Sequence, residues 1–190
     1  TIDTNGSVNL VGNFDRVAVQ SDNVNISTAG GVVGTMEINA SAQNARIDMG
    51  TSGTITNLNL SAVANLTGAG TVTNANILQM NSSLTTSGGV DITNLVVEKA
   101  AAGSNVNLGA GTVITNLTLN TNSNITGAGT VGIANVNSNG TTIGVSTTKI
   151  NAAGGVSVVK PISTSAIQGV AIPKPGDIRT NYIYDQSPQF

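Results

Sequence analysis

The chain has 190 residues and a net charge of −2; 39% of its residues are apolar, 2% aromatic and 8% charged. It has no cysteine and no histidine, which excludes disulfides, Cys/His zinc sites, cysteine nucleophiles and histidine-based triads. The few charges are scattered singly and stacking aromatics are nearly absent, which argues against nucleic acid as a partner.

Strand signals begin almost at the first residue and follow one template. An apolar pair or single is followed by a second and then a third, with turns between them. Ile2, Val8 and Phe14 occupy the three positions first, with Leu10 among the apolar residues of that coil. Val17/Val19, Ile26 and Val33 come next, then Met36/Ile38, Ile47 and Ile55. The clearest coil is Leu58/Leu60, Leu66 and Val72, followed by Ala75/Ile77, Leu84 and Ile92. Leu95/Val97, Val106 with Leu108, and Val113 follow, then Leu117/Leu119, Ile125 and Val131. Ala134/Val136, Ile143 and Ile150 make a further coil, and Val156/Val158 begin an incomplete last one.

The repetition is also literal. GTITNLNLSAVANLTGAGTVTNANI, from Gly53 to Ile77, returns as GTVITNLTLNTNSNITGAGTVGIANV from Gly111 to Val136. Asn57 to Asn116 and Gly68 to Gly127 are both separated by 59 residues, three coils of 17, 20 and 22 residues. Self-similarity at such a period marks a chain that stacks on itself. Side chains alternate across a strand, so Leu58 and Leu60 point inward and Asn59 outward. The expectation is an all-β, three-sided parallel β-solenoid of about seven coils over residues 1–159. A β-sandwich also suits short strands with frequent turns, but it does not predict the same turn residues at the same place in every coil. The scarcity of aromatics fits a narrow core of stacked aliphatic columns.

The corners carry their own signals. Gly30-Gly31, Gly68-Ala69-Gly70, Gly88-Gly89, Gly109-Ala110-Gly111 and Gly127-Ala128-Gly129 fall between the second and third positions, where sharp corners favour glycine. Asn57, Asn74 and Asn94 fall at another corner and are expected to stack as an amide ladder.

From Lys160 the composition changes. Pro161, Pro173, Pro175 and Pro188 are all the prolines of the chain, and Tyr182 and Tyr184 both of its tyrosines. Proline cannot serve inside a ladder, so residues 160–190 read as an extended C-terminal arm. It is expected to strap the solenoid's own end or to dock on a neighbour by strand addition through Ile172, Tyr182, Ile183, Tyr184 and Phe190. At the other end Ile2, Val8, Leu10 and Phe14 are expected to form an open coil that offers unpaired backbone groups for association. An open end and an arm suit head-to-tail assembly of copies of the chain.

Candidate chemistry is thin. Asp15, Glu37, Asp91 and Glu98 lie on different coils, Asp15 and Arg16 are expected to face opposite ways, and Arg46 and Asp48 can share a face without making a glycosidase pair. The chain is therefore read as a non-enzyme needing neither metal nor cofactor. Thr54 and Thr56 flank Ile55, and Thr71 and Thr73 flank Val72. Stacked, and joined by Thr112, they would form threonine columns on a flat face, and these resemble the ice-binding face of solenoid antifreeze proteins. Asp91, Gly132 and Ile114 interrupt the array, and threonine favours strands in any case. No apolar run reaches the roughly 18 residues of a membrane span.

The GTITNLNL…NLTGAGTVTNANI style over Gly53 to Val136 resembles repeat regions of bacterial cell-surface proteins, S-layer-associated or adhesin-like. The resemblance implies an extracellular stalk, scaffold or adhesive fibre. It implies self-association as the main interaction and a cell-surface glycan as a second partner class.

Overall fold

The computed structural model describes residues 1–160. Seventeen strands make up two sheets, and no helix occurs among the described residues. The nine-stranded sheet holds β1 (Ser7–Asn9), β3 (Asn25–Ser27), β5 (Ala45–Asp48), β7 (Val63–Thr67), β9 (Ser83–Thr86), β11 (Ser104–Leu108), β13 (Ser123–Gly127), β15 (Thr141–Ile143) and β17 (Val158–Val159). The eight-stranded sheet holds β2 (Asn13–Val19), β4 (Val32–Ile38), β6 (Thr54–Leu60), β8 (Thr71–Ile77), β10 (Asp91–Val97), β12 (Val113–Leu119), β14 (Thr130–Val136) and β16 (Ser146–Ala152). The chain alternates between the sheets and each strand pairs in parallel with the one a coil away. This is a parallel β-solenoid of about eight turns, one more than the figure of about seven expected above and equal to the number of full coils in the apolar template. At roughly 4.8 Å per strand spacing the eight-stranded sheet is about 34 Å tall.

Each coil has three apolar faces but two strands. In β6 the burial order is Ile55 in, Thr56 and Asn57 out, Leu58 in, Asn59 out, Leu60 in. Two successive outward residues mark a corner inside one strand. The ladder records it: Ile55 pairs with Val72 and Asn57 with Asn74, while Thr56 and Thr73 are skipped. The same position is skipped in every pair of that sheet, from Asp15/Gly34 to Gly132/Thr148. The third and first apolar positions of the template are thus joined on one bent strand, and the second lies on the shorter strands.

Three details of register differ from the sequence expectation. Ile114, not Val113, is the inward residue of its coil: Ile114 is fully buried, Val113 is 41% exposed, and Ile92 pairs with Ile114. The corner ahead of β12 is one residue longer, so the inward position moves with it. Ile150 lies on the first face beside Ala134, and the third-face position of that coil is Thr147 beside Val131. Val158 then falls on the second face, opposite Thr141. Asp15 and Arg16 both point outward, because they occupy the corner where alternation fails.

The core is one continuous aliphatic cluster. Columns such as Val33–Ile55–Val72–Ile92–Ile114–Val131 and Met36–Leu58–Ala75–Leu95–Leu117–Ala134 run along the axis. Aliphatic side chains fill these columns, and Phe14 packs on the cluster at the terminal coil. Glycine is required at the sharpest corners. Gly68 has φ of +95° and Gly127 of +111°, where a side chain is strained.

Candidate functional site

Three surfaces carry the residues singled out in the sequence. The first is the amide-bearing corner of the eight-stranded sheet. Asn74 Nδ2 donates to Asn57 Oδ1 at 3.1 Å, Asn94 Nδ2 to Asn74 Oδ1 at 3.0 Å, and Asn116 Nδ2 to Asn94 Oδ1 at 3.1 Å. The ladder expected from Asn57, Asn74 and Asn94 therefore extends to a fourth rung. Shorter stacks join Asn59 to Asn76, Asn135 to Asn151 and Asn120 to Asn137. Below the main ladder the same column holds Thr35 and Arg16. Arg16 bonds Glu37 of the next coil, Nε to Oε1 at 3.2 Å and Nη2 to Oε2 at 2.6 Å. The hydrogen bond first, and then the charge of Glu37, raise the Arg16 pKa above its already high value, so Arg16 stays cationic.

The second surface is the threonine face. Thr54 and Thr71 stack in one outward column, their hydroxyls 3.4 Å apart, and that column continues as Asp91, Val113, Thr130 and Ser146. Thr56 and Thr73 lie beside it at the corner, in line with Thr93 and Thr115, and all four are exposed. Thr112 is not part of this face. It is fully buried, and its hydroxyl pairs with that of Thr86 at 2.8 Å inside the coil. The residue shift that brings Ile114 inward places Thr112 inside the glycine corner. Val32, Val113 and Ile133 are exposed on the same sheet, which gives its outer surface an apolar component.

The third surface is the pair of solenoid ends. At one end β1 and β2 each have a single strand neighbour among the described residues; at the other end the same is true of β16 and β17. Ile2 makes a one-residue bridge to Val19, with its N–H on Ala18 O at 2.7 Å and its carbonyl accepting from Gln20 N at 2.9 Å. Ile2 and Leu10 are buried, and Val8 and Phe14 are half-buried against the core. All four thus serve their own coil first, and the edge they offer is mainly backbone. Ile172, Tyr182, Ile183, Tyr184 and Phe190 lie outside the described residues.

Among the described residues no three acidic side chains come together as a metal site, and no helix is long and apolar enough to cross a membrane. Arg46 and Asp48 do share a face, as expected, but Asp48 Oδ1 accepts the Gly50 N–H at 2.9 Å. A shallow groove of about 220 Å³ runs past Arg46 between Asn65, Thr67, Thr85 and Ser87. Inside the coil, Ser82 and Ser104 are stacked small hydroxyls without partners, fillers of a tight corner. Compared with known protein families, curated proteins and solved structures, the chain matches none of them.

Proposed function

We propose that the protein is a non-enzymatic structural subunit of an extracellular surface filament or layer, built by head-to-tail stacking of solenoids. One observation carries this reading: both sheets are parallel throughout, and among the described residues their terminal strands have an outer edge without a strand partner, save where Ile2 bridges Val19. A row of free N–H and C=O groups is a template for another strand, and identical subunits with complementary ends build open fibres. The low charge and the Asn/Thr/Gly surface support a place outside the cell, and the C-terminal arm is proposed to dock on the neighbouring copy.

Negative-stain imaging of the purified chain tests the proposal. Fibres are expected, and monodisperse monomers at high concentration would overturn it. Removal of residues 160–190 should abolish assembly, whereas fibres that persist would make the arm a strap on its own subunit. A second reading is ice binding, supported by the outward columns of Thr54/Thr71 and Thr56/Thr73/Thr93/Thr115. Thermal hysteresis in solution would favour it, and its absence would remove it. Selective retention on a glycan panel would instead identify an adhesin module.

A further inference from the structure

We propose that copies meet with fixed polarity, the lysine-bearing end of one solenoid on the acidic end of the next, and that this charge asymmetry selects the head-to-tail contact. The inference rests on the self-association proposed above and adds what recognises what.

Charge is sorted along the axis. Residues 1–48 hold Asp3, Asp15, Asp22, Glu37 and Asp48 against Arg16 and Arg46, a side-chain charge of −3. Residues 100–160 hold two charged side chains, Lys149 and Lys160, and no acid. Between them, residues 49–99 hold Asp91 and Glu98 against Lys99, a side-chain charge of −1. Residues 161–190 add two cations and two anions, side-chain charges that sum to zero.

The charged groups sit on the edge strands themselves. Asp15 lies in β2 and Lys149 in β16, the two outermost strands of the eight-stranded sheet, and both side chains are exposed. Lys160 follows directly on β17, the outermost strand of the other sheet. Arg16 begins the column that Lys149 ends, but its guanidinium is paired with Glu37, so Asp3, Asp15 and Asp22 set the sign of this end. Asp3 accepts from the Ser21 hydroxyl at 2.9 Å and Asp22 from the Gln43 N–H at 2.7 Å, bonds that hold these anions in place near the acidic end.

The geometry makes these charges count at a junction. Strands of adjoining copies would lie about 4.8 Å apart, inside the Debye length of about 8 Å at physiological salt. Two acidic ends, or two lysine-bearing ends, would bring like charges within that distance. A head-to-head contact would also bring edges together in antiparallel sense, whereas every strand pairing among the described residues is parallel. Complementary fields of this kind act mainly on the rate and orientation of encounter.

The test uses the full 190-residue chain in two charge-reversed forms, Lys149→Glu/Lys160→Glu and Asp3→Lys/Asp15→Lys. Assembly is followed by light scattering and imaging at low ionic strength. Each form alone should elongate at least about tenfold more slowly than the unmodified chain. An equimolar mixture should recover fibres, because each form then presents ends complementary to the other. Far-UV circular dichroism checks that each form is folded. The neutral variants Asp15→Asn and Lys149→Gln, which change no buried side chain, should give intermediate rates. Unmodified rates for the folded variants, or a mixture no faster than its components, would overturn the polarity inference and leave the filament proposal standing. Absence of fibres from the unmodified chain would overturn both.

Discussion

Asn94 is the residue at which the amide ladder can be weighed. It is half-buried at the bent corner of β10, donating to Asn74 and accepting from Asn116 at 3.0 and 3.1 Å. Asn94→Ala removes both bonds and leaves Asn74 Oδ1 and Asn116 Nδ2 without their partner. A typical bond contributes a net ~1 kcal/mol, so the loss should be about 2 kcal/mol, part of it recovered where water reaches the half-exposed amides. Asn57→Ala is the internal control. Asn57 ends the ladder and makes one amide–amide bond, with a longer contact of 3.4 Å to Gly34 O. Its loss should be about half as large. Asn94→Asp keeps the acceptor for Asn116 but sets an oxygen against Asn74 Oδ1, so it should be worse than Asn94→Ala at neutral pH. Urea unfolding at 25 °C, with midpoints and slopes compared, gives the three values. A ladder that stabilises cooperatively requires the order Asp, then Ala at 94, then Ala at 57. Equal midpoints for Asn94→Ala and Asn57→Ala would refute the reasoning and reduce the ladder to a packing coincidence.

Two further predictions address register and corner geometry. Ile114→Ala should cost roughly 2–5 kcal/mol through the cavity it opens in a fully buried column, whereas Val113→Ala should stay within about 0.5 kcal/mol; urea midpoints that reverse this order would refute the placement of β12. Gly127→Ala should be strongly destabilising, because at φ +111° its Cβ would lie 2.7 Å from Leu108 N, while Gly103→Ala, at φ +75° with open space around it, should cost only about 1 kcal/mol in thermal or urea unfolding.

The register of Leu58, Asn59 and Leu60 was legible from the chain alone, because period-two alternation is a local property of a strand. So were the glycine corners and the core's aliphatic character, since each coil repeats them. The stacking of Asn57, Asn74 and Asn94 followed from the same repeats, and Asn116, 59 residues after Asn57 in the same phrase, is the fourth rung. Local pattern fails wherever the chain turns. Thr56 and Asn57 both face outward, as do Asp15 and Arg16, because a corner breaks alternation without breaking the strand. Only the stacked neighbours decide which of Val113 and Ile114 goes inward, and that choice carries Thr112 from the proposed surface array into a buried bond with Thr86. The last coil departs from the apolar template for the same reason: Ile150 has an apolar side chain suited to either face, and its backbone partner, Ala134, assigns it to the first. That the chain is a solenoid follows from its repeats, because each repeat sets the hydrogen-bonding partner one coil away. Which residues each corner turns outward emerges only in the folded stack, because a turn's length changes the phase of everything after it until the next strand pairs.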